Sequence, residues 1–105
     1  MDDEDNIVLG GSIELVGFKN IDRSTMLIIK KVVGNYAKRM SEITNKFERL
    51  TVTVKSIHKQ ENNEKYEFHT KLLANGKIYA SEFTDKNIFV ALDSSLHKLI
   101  NEIRI

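Results

Sequence analysis

Leu50-Thr51-Val52-Thr53-Val54-Lys55 is the stretch that decides the fold. Apolar and polar residues alternate strictly along it and β-branched side chains dominate, the pattern of a strand with one buried face. Upstream the period is different. Met26, Ile29, Val33, Tyr36, Met40 and Ile43 recur at three- and four-residue spacing, which predicts an amphipathic helix over 22–46 with Asp22 or Ser24 as its cap. The opposite face of that helix gathers Arg23, Lys30, Lys31, Gly34, Asn35, Lys38 and Ser41 and must meet water. Before the helix, Ile13 and Leu15 alternate with Ser12 and Glu14 in a first strand that reaches Phe18, although Val16 and Phe18 blur the pattern.

Downstream of Lys55, Gln60-Glu61-Asn62-Asn63-Glu64 is a polar turn, after which Tyr66, Phe68, Thr70 and Leu72 alternate with Glu67, His69 and Lys71 in a third strand. Ala74-Asn75-Gly76-Lys77 reads as a three-residue hairpin loop that sets Leu72 opposite Ile78. On that register Ile78 and Ala80 face inward, Glu82 falls on the buried side and Phe83 arrives one position late, so a bulge near Ser81-Glu82 is expected. Asn87 then caps a final helix whose apolar stripe is Ile88, Leu92, Leu96, Leu99, Ile100 and Ile103. The element order β-α-β-β-β-α predicts an α+β two-layer sandwich. Its four-stranded sheet runs 1-2-3-4, the first two strands are parallel, and both helices cover one face. The open face then carries Thr51, Thr53, Lys55, Glu67, His69, Lys71 and Tyr79.

At 105 residues, with 41% hydrophobic and 30% charged residues, the chain has the size and composition of one folded domain. It has no cysteine, which excludes disulfides and thiolate metal sites, and no apolar run approaches the ~18 residues of a membrane span. Residues 1–11, with Asp2, Asp3, Glu4 and Asp5 ahead of Gly10-Gly11, are read as a flexible acidic tail, and 12–105 as the domain. An acidic amino terminus is the opposite of a secretory or mitochondrial signal, so a cytoplasmic location is expected. The formal charge of +1 hides an asymmetry: residues 6–105 carry sixteen Lys and Arg against eleven Asp and Glu. A basic body of this kind is compatible with a nucleic-acid partner without requiring one.

Three local features carry a family resemblance: the strand ending Val52-Thr53-Val54-Lys55, the hairpin Asn75-Gly76-Lys77-Ile78-Tyr79-Ala80-Ser81, and the helix start Asn87-Ile88-Phe89-Val90-Ala91-Leu92-Asp93. Together with the element order they resemble the ribosome hibernation-promoting factor family, also called ribosome-associated inhibitor or protein Y, in its short form. The resemblance covers the chain after Gly11. It implies a monomeric, non-enzymatic protein that docks in the tRNA and messenger channel of the small ribosomal subunit through ribosomal RNA, inhibiting translation and storing ribosomes under stress. Membrane, small-molecule substrate and cofactor are not expected. Two features depart from the family pattern: the acidic start, and an end at Glu102-Ile103-Arg104-Ile105 in place of a lysine-rich extension.

The residues assigned to RNA contact are Arg23, Lys30, Lys31 and Lys38 on the first helix, extended by Lys55 and Lys59 around the end of the second strand and by Lys98, with Arg104, on the last helix. Such lysines would meet phosphates and read shape in preference to base sequence. His58, His69 and His97 lack the three- or four-residue spacing of helix-borne ligands, so no metal site is expected, and His69 is read as facing Lys55. Glu14, Glu67, Glu82 and Asp93 are scattered, Asp93 as a helix-surface residue, and no nucleophile or phosphate-loop motif is present. Tyr66, Phe68 and Phe83 alternate as packing residues do. Two rival functions fit the same pattern: a general double-stranded RNA-binding domain, and a protein-interaction module using the edge strands, Ser12–Phe18 or strand four.

Overall fold

The computed structural model describes residues 6–58 and 64–104. The elements follow in the order β1 (Asn6–Leu9), β2 (Ile13–Val16), α1 (Arg23–Ile43), β3 (Phe47–His58), β4 (Glu64–Ala74), β5 (Lys77–Asp85) and α2 (Ile88–Arg104). The five strands form one sheet in sequence order, with β2 and β3 parallel and every other neighbouring pair antiparallel. The fold is α+β with two helices on a mixed five-stranded sheet, one strand more than the periodicity predicts.

The additional strand corrects the tail reading at residues 6–11, whereas residues 1–5 lie outside the described residues. Asn6-Ile7-Val8-Leu9 pairs antiparallel with β2, with Ile7 opposite Leu15 and Leu9 opposite Ile13. Gly10 and Gly11 lie at φ +59° and +84°, so the glycines supply a turn and not merely freedom. Ile7 and Leu9 pack against the core. Ser12–Phe18 is therefore no edge: the sheet ends at β1 and β5.

The blurred end of β2 also has a cause. Gly17 adopts φ +87°, and a Cβ there would stand 2.5 Å from the Val54 carbonyl oxygen. The left-handed residue shifts the strand's alternation by one, so that Phe18, only 1% exposed, turns into the core beside Phe68 at 6.1 Å between ring centroids.

The β4–β5 hairpin corrects the expected loop and bulge. Asn75 (φ +56°) and Gly76 (φ +72°) are consecutive left-handed residues, a two-residue turn of type I′ that matches the twist of the strands. Ala74 pairs with Lys77 and Leu72 with Tyr79, and the register continues unbroken to Tyr66 opposite Asp85. Removing one loop residue moves every β5 side chain to the other face. Tyr79, Ser81 and Phe83 are half-buried toward the helices, whereas Ile78, 66% exposed, Ala80 and Glu82 face out. Tyr79 is thus not on the open face, and the awkward inward Glu82 does not arise. The sheet's one register shift on β3 and β4 falls instead between Phe47 and Arg49.

Both helices match their expected stripes. α1 starts one residue after Asp22, whose carboxylate accepts from the Thr25 amide at 3.1 Å and its hydroxyl at 2.7 Å, bonds that hold this carboxyl below its ordinary pKa. It ends at Ile43, short of 46. Thr44 Oγ1 donates back to the Met40 carbonyl, and Asn75 Oδ1 accepts from the amides of Asn45 and Lys46. Ile29, Val33, Ala37 and Met40 are buried, while Ile43 is 39% exposed. Asn87 caps α2 by accepting from the Phe89 and Val90 amides. Leu92, Leu96, Leu99 and Ile100 then join Leu15, Leu50, Val52, Phe68 and Leu72 in one core. The one-sided parity of the buried strand residues places both helices on the same sheet face. Among the described residues, no helix is long and apolar enough to cross a membrane.

Candidate nucleic-acid interface

Helical geometry assembles the first group of candidate residues. At 3.6 residues per turn, Arg23 and Lys30, and likewise Lys31 and Lys38, stand two turns apart on one side of α1, each pair separated by roughly 11 Å. All four side chains are exposed, Leu27 lies between them at 66% exposure, and Gly34 interrupts the row with a site where a Cβ would meet nothing within 4 Å. Among the described residues, no carboxylate oxygen comes within 4.0 Å of these four cations. Among the described residues, the outer face of α1 is a basic stripe whose cations make no ion pair.

α1 is held in place from the side. Tyr36 Oη donates to Asp93 Oδ1 of α2 at 2.8 Å, and the Arg39 guanidinium lies 5.7 Å from the centre of the Tyr36 ring. Partial burial, and then the hydrogen bond to the carboxylate, push the Tyr36 hydroxyl up to about 12. Asp93, read from the sequence as a helix-surface residue, is the acceptor that ties the two helices together. This pair lies 57 positions apart, beyond the reach of a local pattern.

Lys55 and Lys98 do not extend the stripe. Lys55 is exposed on the open sheet face, opposite Glu67. Lys98 projects from α2 to edge strand β5, where its ammonium donates to the Glu82 carbonyl at 2.9 Å and lies 5.8 Å from the Phe83 ring centre. Lys55 and Lys98 instead line a shallow hollow of about 700 Å³ on the sheet, with Thr51, Thr53, Lys71 and Glu82. Lys59 lies outside the described residues. Arg104 is exposed at the end of α2.

The open face also brings together residues that sequence spacing left apart. His69 is opposite Thr53 on β3 and Glu82 on β5, not opposite Lys55. Its Nε2 lies 2.9 Å from Glu67 Oε2 and its Nδ1 3.1 Å from Glu82 Oε1. The i, i+2 spacing of Glu67 and His69 on a strand was the available signal, and the misplaced turn concealed the third member. Compared with protein-family models and with curated proteins, the chain matches none.

Proposed function

We propose that this chain is a ribosome hibernation factor, a non-catalytic cytoplasmic protein that docks in the small-subunit tRNA and messenger channel through ribosomal RNA and holds translation off. The observation that carries the proposal is the stripe of Arg23, Lys30, Lys31 and Lys38, without an ion pair among the described residues, on a helix clamped to the domain by Tyr36 and Asp93. Water-facing cations with no carboxylate within 4.0 Å among the described residues attract a polyanion through counterion release, and lysines suit an irregular phosphate backbone. The strand, helix and hairpin segments that resemble the hibernation family supply the reason to choose the ribosome as that polyanion.

The start of α2 argues against the double-stranded RNA-binding rival, whose basic cluster at that point is replaced by Ile88, Phe89 and Val90. Edge pairing with a protein is hindered at β5, where Lys98 occupies the Glu82 carbonyl. Co-sedimentation with ribosomes tests the proposal. The protein should pellet with small subunits at low salt and be released steeply as salt rises. Protein remaining in the supernatant at low salt defeats the reading. Equal affinity for a free RNA duplex transfers the function to general duplex binding.

A further inference from the structure

We propose that Glu67, His69 and Glu82 form a divalent transition-metal site on the open face of the sheet, with Zn2+ as its best occupant. The site is independent of the α1 stripe and of the ribosome reading. Strand geometry builds it: Glu67 and His69 are two residues apart and so share a face of β4, and Glu82 is the direct cross-strand neighbour of His69 on β5. One ligand atom from each residue falls within a set whose members are all within 4.8 Å of one another. β4 is hydrogen-bonded on both sides, by β3 and β5, so the backbone that carries two of the ligands is rigid.

The charge arrangement is one that a cation relieves, either a second proton on the imidazole or a bound metal ion. A neutral imidazole has one N–H, yet both ring nitrogens of His69 face carboxylate oxygens, at 2.9 and 3.1 Å. Whichever nitrogen lacks the proton turns a lone pair toward an anion. The nearby lysines do not relieve this: Lys55 opposite Glu67 and Lys71 beside His69 make no ion pair within 4.0 Å to either carboxylate. A metal bound to one imidazole nitrogen and to carboxylate oxygen converts the repulsion into ligation. The carboxylate at the other nitrogen can then serve as ligand or as acceptor for the remaining N–H, the usual arrangement around a metal-bound histidine. Glu82, 66% exposed, has the freedom to close on the ion.

The donor set selects the metal. One imidazole and two carboxylates make a nitrogen and oxygen set that suits Zn2+ and its transition-metal neighbours, with water completing the shell. Ca2+ and Mg2+ would find too few oxygens. The hollow beside the cluster leaves solvent access to such an open position.

Calorimetric titration of the untagged full chain with Zn2+ at neutral pH tests the site. Uptake of one Zn2+ per chain with micromolar affinity is expected, with no comparable heat from Mg2+. His69→Ala should abolish it, and Glu82→Gln, which keeps the shape at an exposed position, should weaken it by about tenfold or more. His97→Ala should leave it intact. Nuclear magnetic resonance should show the His69 imidazole shifting on Zn2+ addition while that of His97 stays still. Absence of uptake by the wild type, equal uptake of Mg2+, or binding unchanged in His69→Ala would each overturn the assignment. So would an imidazolium at His69 that titrates with pH and takes up no metal.

Discussion

The outer face of α1 and the open face of the sheet both carry lysines, and they are electrostatically different surfaces. On α1, Arg23, Lys30, Lys31 and Lys38 stand without a carboxylate within 4.0 Å among the described residues. On the sheet, Lys55 and Lys71 likewise make no ion pair within 4.0 Å, but they share their face with Glu67 and Glu82, and Arg49 pairs with Glu14 at 3.6 Å. Counting cations would rank the faces together. What separates them is local compensation, because a polyanion releases counterions only where protein charge is uncompensated.

The largest expected effect tests that difference directly. Changing Lys30, Lys31 and Lys38 together to Glu should weaken ribosome co-sedimentation by at least about a hundredfold, roughly 2.7 kcal/mol, with the melting temperature little changed. Comparable binding by the triple variant would erase the distinction between the faces. The clamp beneath the stripe is next. Tyr36→Phe removes the donor to Asp93 and should cost about 1 kcal/mol in denaturant unfolding.

The same clamp predicts a pH response. Because the folded Tyr36 hydroxyl titrates near 12 instead of 10, its contribution is complete below pH 10 and is lost as the pH rises from there toward 12. Unfolding measurements across that window should show wild-type stability falling more than that of Tyr36→Phe.

Gly34→Ala should stabilise the protein by about 0.5–1 kcal/mol, since helix propensity favours alanine and the added Cβ meets nothing within 4 Å. A loss of stability in thermal melts would mean that this part of the stripe is not the free surface described. Smallest of all, Lys55→Gln with Lys71→Gln should change ribosome co-sedimentation by less than about twofold, a screened surface contribution. A loss as large as that of the triple variant would move the interface to the sheet.

Much of the architecture was legible because periodicity is local. The stripes of both helices, the alternation of β3 and β4, the caps Asp22 and Asn87 and the parallel β2–β3 pairing all follow from side-chain spacing and short connections. The α1 cations were legible for the same reason. Three features were not. β1 is too short for its alternation to outweigh the acidic residues before it, and only pairing with β2 makes it a strand. The Asn75-Gly76 turn accommodates two-residue and three-residue loops with the same residues. The chosen loop length reversed the faces of β5, exposing Ile78 and Glu82 and turning Tyr79 inward.

From its own order of residues this chain determined both helices, the strands β2 to β5 and which helix face is basic, since those depend on neighbours within a few positions. Only the tertiary structure decided that Tyr36 meets Asp93, that Glu82 joins Glu67 at His69, and that Lys55 and Lys98 stand apart from the α1 stripe. Those outcomes depend on register and on packing between distant segments, where a change of one residue in a turn selects which face of a strand each side chain occupies.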